Sequence, residues 1–209
     1  AGICCAIKIG GQFVGISKKN DVKNAVMTEY DSLYGYLARS KMKGYDLIDT
    51  STKHYYPMAR SMIASSSARM YTYSSEKKYL HSALKEAEWL MINADLDKDG
   101  ILGWGLPLEI ATAWGAYPEN HEFQITSLFA INGLLDTYDA LLDVSMPKSE
   151  LFLTISREVI DSIIEQGCIT EYSDNSASIW YSCIPEDESY DATNINAMMA
   201  GVLSRLSTH

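Results

Sequence analysis

No apolar run in these 209 residues approaches the roughly 20 needed to cross a bilayer as a helix. Positive charge is scarce too: 17 Lys and Arg stand against 27 Asp and Glu, a net charge of −10. A surface of that sign neither displaces counterions from a nucleic-acid backbone nor docks on anionic lipid, so both partner classes are excluded. It suits cation binding, and it equally keeps a protein dissolved. The chain has no phosphate-binding glycine loop, G-x-S-x-G elbow, H-E-x-x-H or dinucleotide fingerprint, which argues against nucleotide-dependent and serine-hydrolase chemistry. Its four cysteines do not form a zinc set: Cys4 and Cys5 are adjacent, and Cys168 and Cys183 have no histidine at ligand spacing. For the latter two, free buried thiols are the expected state, with a disulfide across the loop as the alternative. The opening AGICCAIKIGGQFVGI carries Lys8 and four glycines and lacks a basic leader before a clean apolar core. It reads as a strand pair or an irregular segment rather than a signal peptide. That absence points to the cytoplasm, with a periplasmic or secreted location left open.

What is present is helix. The length suits one domain with its own core, divided into an opening segment, 1–19, and helical hairpins over 20–208. Val22, Val26, Tyr30, Leu33, Tyr34 and Leu37 recur at helical spacing over 21–41, with Asn20 placed as an N-cap and Gly44 beyond the end. Pro57 starts a second helix reaching about Tyr73, on which Ser61, Ser65 and Ala68 form a small-residue face suited to close approach. The next helix lies within SSEKKYLHSALKEAEWLMINA. Tyr79, Leu80, Ala83, Ala87 and Leu90 make its apolar stripe, with Trp89 also in the core, while Lys85, Glu86 and Glu88 face water and His81 is a surface residue. FQITSLFAINGLLDTYDALLDV is apolar nearly all round and predicts a buried inner helix. KSELFLTISREVIDSIIEQG and TNINAMMAGVLSRLS supply the last two.

The helical pattern breaks over 93–124, NADLDKDGILGWGLPLEIATAWGAYPENHEFQ, a connection far longer than usual. Within it Asp95, Asp97 and Asp99 alternate ahead of Gly100, so their carboxylates and the Ile101 carbonyl can wrap a hard cation, Ca²⁺ before Mg²⁺. The twelfth position, glutamate in an EF-hand, is Leu106, and Glu109 is the nearest downstream replacement. An Asp-rich helix-capping turn is the plainer alternative. Trp104, Trp114, Trp180 and Tyr181 lie in this loop or in a second one after Gly167 and are candidate platforms for sugar rings. Each could equally be core.

The two loops echo one another at an offset of about 67 residues. Pro118-Glu119-Asn120 before a helix with Gly133-Leu134-Leu135 is answered by Pro185-Glu186-Asp187 before a helix with Gly201-Val202-Leu203. This is the signature of a helical repeat. It predicts inner helices beginning at these loops, outer helices returning between them, and the loops gathered on one face. With the D-x-D-x-D-G loop running into G-W-G, residues 76 to 208 resemble the α/α-toroid enzymes of polysaccharide metabolism, among them glucuronyl C5-epimerase-like, lyase and hydrolase toroids. The resemblance implies an all-α half or partial toroid acting on an acidic polysaccharide or oligosaccharide, by epimerisation, lyase cleavage or glycoside hydrolysis. Against a full ring of about twelve helices, the chain would be a half-toroid, a fragment of a larger toroid, or one contributor to a ring closed by a missing partner half or a homo-oligomer. The competing class is a non-catalytic helical module that binds glycan or protein.

Hydrolysis needs two carboxyls flanking the scissile bond, whereas a lyase or epimerase needs a Tyr, His or Lys to take a proton beside a carboxylate. The acid–base candidates are Glu109, Tyr117, His121 and Glu122 from the first loop and Tyr190 from the second, with Glu186, Asp187, Glu188, Asp191 and the loop histidine His54 behind them. For Glu119, Asn120, Glu186 and Asp187 the favoured reading is helix capping.

Overall fold

Proline has no N–H to donate, so it sits without cost where the first N–H groups of a helix are unpaired anyway. Pro57 takes that place at the start of α1 (Pro57–Ser74). The structure, a computed structural model, describes residues 5–9, 12–16, 27–28, 31–32, 55–111, 116–144, 147–184, 187–188 and 190–209. Most of the helix predicted over 21–41, together with His54, Trp114 and Glu186, lies outside them. The opening segment forms an antiparallel pair, β1 (Cys5–Ile9) with β2 (Gln12–Ile16), in line with its strand-like reading.

After α1 the chain runs through α2 (Lys77–Ile92), a strand pair β3 (Ile110–Ala111) and β4 (Ala116–Tyr117), and α3 (Gln124–Leu141). The same order follows: α4 (Ser149–Glu165), a pair β5 (Ile169–Glu171) and β6 (Ala177–Ile179), and α5 (Thr193–Leu206). The echo seen in the sequence is therefore a repeated unit of outer helix, strand pair and inner helix. The fold is all-α with minor strands.

Among the described residues, α1, α2, α4 and α5 all pack on α3. Its all-round apolarity makes that possible, since Leu128, Ile131, Leu134, Leu135 and Leu141 are each fully buried and contribute about 2 kcal/mol apiece. On one side α1 comes unusually close, because its facing residues Ser61, Ala64 and Ala68 are small and α3 offers Gly133. A Cβ at Gly133 would stand 2.8 Å from the Ser61 carbonyl oxygen. Further along, Ser65 and Arg69 both bond Asp136, and Arg205 near the end of α5 reaches Asp136 at 2.9 Å and Asp139 at 2.8 Å. Contacts that advance together along two helices mean parallel helices, so α1, α3 and α5 run one way while α2 and α4 return between them. The loops before α3 and α5 therefore meet at one end of the bundle.

One helix-surface assignment is corrected. Glu86 does not face water with Lys85 and Glu88; it is 3% exposed and paired with the equally buried Arg60 of α1. Trp89 is only partly buried, and it carries the Arg60 guanidinium 4.2 Å from its ring centroid.

Candidate functional site

The acidic loop begins where α2 stops at Ile92. Lys98 (φ 63°) and Gly100 (φ 88°) both adopt left-handed backbone and curl the chain, a conformation that costs glycine least. The curl gathers one carboxylate oxygen from each of Asp95, Asp97 and Asp99 within 4.8 Å of one another. Asp99 Oδ1 accepts the Ile101 N–H at 2.7 Å, which holds the turn shut.

Glu122 comes to the same place from the far end of the loop. Gly105 and Glu122 form an antiparallel bridge, and the Glu122 side chain lies across Gly103, where a Cβ would meet its Cγ at 2.6 Å. Glu122 is 8% exposed. Burial, with the Asp97 and Asp99 charges adding to it, pushes its carboxyl up to about 8. Asp97 is likewise raised, first by desolvation and then by the Asp99 charge. By contrast Glu109, the downstream replacement offered by the sequence, is exposed; neither it nor Glu122 is among the three carboxylates that lie within 4.8 Å of one another.

A second group joins the two loops. Tyr117 donates to Asp187 Oδ1 at 3.0 Å and Ser182 to Asp187 Oδ2 at 2.6 Å. Gln124 N–H bonds the Tyr181 carbonyl, and Phe123 bridges Ser182. These links line up an aromatic row. Tyr117 lies 5.0 Å and His121 5.4 Å from Phe123, Phe123 lies 5.5 Å from Tyr181, and Tyr181 lies 5.6 Å from Tyr190. Tyr190 is 57% exposed and ends the row in solvent. Burial lowers the His121 imidazole, against the pull of Asp97 and Asp187. Burial raises the Tyr181 phenol, with Asp187 adding.

Other candidates are placed elsewhere. Trp104 is 1% exposed and donates its indole N–H to the Leu90 carbonyl at 3.1 Å, so it wedges α2 against the loop as core. Trp180 is partly buried and bonds Thr170. Capping is corrected as well. The N-caps of α3 and α5 are Phe123 and Ala192, neither with a side-chain bond, so Glu119 and Asn120 cap nothing and Asp187 serves the loop junction. Sequence reasoning missed Ser182, Phe123 and the two close-approach glycines; the G-W-G spacing was the one signal that pointed at the last.

Cys168 and Cys183 form a disulfide, Cα–Cα 5.5 Å, in place of the free thiols expected. The β5–β6 pair brings them together, as Trp180 N–H bonds the Cys168 carbonyl at 3.0 Å. With its ends 15 positions apart in the sequence, the bond should contribute about 2–3 kcal/mol by restricting the unfolded chain. A reductant is expected to lower the melting temperature of the protein and to leave that of Cys183→Ser unchanged. Equal melts for the oxidised protein and the variant would remove the bond from the loop's stability.

No protein family and no curated protein matches the chain by sequence. One solved structure, a glycoside hydrolase from family 105 of C. acetobutylicum ATCC 824, is similar in fold, with a TM-score of 0.53 and 12% identity. The match covers 73% of this chain and 42% of that one, so this chain spans less than half of that protein's length. That protein's fold is an α/α-toroid.

Proposed function

We propose that the chain forms the polysaccharide-binding face of a carbohydrate-active α/α-toroid, with Ca²⁺ held at Asp95, Asp97, Asp99 and the Ile101 carbonyl. The observation that carries this reading is the aromatic row Tyr117–His121–Phe123–Tyr181–Tyr190, drawn from two loops that the parallel inner helices bring to one end. Tyr190 is open to solvent and Tyr181 and His121 are half-buried, backed by the buried Tyr117 and Phe123; exposed aromatic faces bind the apolar faces of sugar rings, and polar groups at their edges pair with the hydroxyls. The fold likeness to a family 105 glycoside hydrolase supports a carbohydrate ligand, and an acidic, uronate-containing glycan follows from the toroid resemblance. In such a protein the rest of the ring would come from a second copy, a partner half or further residues of a longer chain. The Cys168–Cys183 disulfide supports a periplasmic or secreted location over a cytoplasmic one, because such bonds persist in oxidising compartments.

Epimerisation, lyase cleavage and hydrolysis all need a free acid or base beside the row. Among the described residues, Asp187 already accepts two hydrogen bonds and Glu122 is buried among the aspartates. That favours, as the second reading, a binding module without its own catalytic pair. His121 and Tyr190 remain the groups best placed to move a proton should catalysis occur.

Retention of oligosaccharides, uronate-containing and neutral, by the immobilised protein tests the proposal. Tyr190→Ala should weaken the best ligand about tenfold, which is about 1.4 kcal/mol. An anionic ligand should bind more tightly as salt screens the −10 charge. A panel that shows no retention would end the glycan reading.

A further inference from the structure

The Asp loop gathers three carboxylates, yet it lacks the bidentate glutamate that closes an EF-hand. We infer that Glu122 is the fourth carboxylate of this cation site, so that one Ca²⁺ ties the loop after α2 to the residue two before α3. This rests on the calcium reading proposed above and is independent of the glycan reading.

The sequence offered Glu109, the nearest acid past the twelfth position, but Glu109 is exposed. Glu122, thirteen residues further on, is delivered by the Gly105–Glu122 bridge, and the absence of a side chain at Gly103 lets its own side chain pass. Two observations point to a ligand and not to an acidic surface. The Glu122 residue is more than nine-tenths buried, and its Oε1 has no hydrogen-bond partner among the described residues; the same is true of the buried Asp95 Oδ1. Nor does any Lys, Arg or His among the described residues form an ion pair with Asp95, Asp97, Asp99 or Glu122.

Glu122 is buried beside one half-buried and two exposed aspartates; a buried carboxyl lacking a cationic partner is costly, and a divalent ion facing it removes the cost. An all-oxygen donor set with several carboxylates suits calcium, which takes six to eight oxygens in flexible geometry; magnesium keeps more water and fewer protein ligands. Because Glu122 adjoins His121 and Phe123, the ion would also anchor one end of the aromatic row.

The test is calorimetric titration of the metal-stripped full chain with Ca²⁺, with thermal melts at each point, for the wild type, Glu122→Gln, Glu122→Asp and Glu109→Gln. The expected result is binding that raises the wild-type melting temperature, an affinity at least tenfold weaker in Glu122→Gln, and Glu109→Gln equal to wild type. Should Glu122→Gln not fold, Glu122→Asp, which keeps the charge but withdraws it by one methylene, is expected to show the same weakening. Wild-type binding with both Glu122 variants unaffected would overturn the role of Glu122 and leave the Asp-loop site standing. Absence of wild-type binding would overturn both.

Discussion

Glu86→Leu is expected to lose about 3–5 kcal/mol, the cost of leaving a buried charge without its partner. Glu86 of α2 and Arg60 of α1 are 3% and 5% exposed and bond each other directly. Leucine fills a volume similar to glutamate's, so the loss reports the stranded guanidinium and not a cavity. Arg60 Nε has no hydrogen-bond partner among the described residues, and the faces of Trp89 and Tyr55 stand 4.2 and 4.8 Å from its Cζ. Those two rings stack at 6.0 Å and close the guanidinium in. For a chain of this size the loss corresponds to a fall of about 10 °C in melting temperature. The double variant Arg60→Met/Glu86→Leu removes both charges and should recover most of the stability, since well-packed apolar replacements of a buried pair are often neutral. Urea denaturation of the two single variants and the double completes the cycle. A single-variant cost below about 1 kcal/mol, the value of an exposed pair, would contradict the burial.

That pair also shows where sequence patterning runs out. A helix's apolar stripe is visible because burial demands it every three or four residues, and Tyr79, Leu80, Ala83, Ala87 and Leu90 announce α2 for that reason. The same argument found α3, whose sequence has no wet face, and the small face of α1 that meets Gly133. Glu86 looks like any surface glutamate, because what buries it is an arginine 26 residues earlier on another helix. The functional loop divides in the same way. Asp95, Asp97 and Asp99 sit within five residues, so their convergence is local and legible. Glu122 reaches them only through a bridge to Gly105, and proximity along the chain favoured Glu109 instead. Cys168 and Cys183 were likewise underread, since their pairing depends on the β5–β6 register. Capping failed at Glu119 and Asn120 because α3 begins four residues after Asn120, which itself takes a left-handed backbone (φ 64°) to turn the chain.

Gly105 is the position at which the loop's construction can be tested with a single methyl group. A Cβ there would stand 2.0 Å from the His121 carbonyl oxygen and 2.4 Å from the Asn120 carbonyl carbon. Both are backbone atoms, so no side-chain rotation relieves the contact, and the two segments must part. They are held together by Asn120 N–H to the Leu106 carbonyl at 2.7 Å and Phe123 N–H to the Trp104 carbonyl at 3.3 Å, bonds that parting would stretch. Gly105→Ala is therefore expected to cost about 3 kcal/mol or more, at or above the upper end for overpacking. Because Glu122 is carried on the displaced segment, Ca²⁺ affinity at the proposed site should fall with stability. Gly201→Ala is the matched control: nothing lies within 4 Å of a Cβ at that exposed position of α5, and alanine in a helix interior should stabilise by up to about 1 kcal/mol. Opposite shifts in denaturation midpoint, down for Gly105→Ala and up for Gly201→Ala, are the expected outcome. If the two variants melt together, the loop has room that the Gly105–Glu122 bridge does not allow, and the route by which Glu122 reaches the aspartates fails with it.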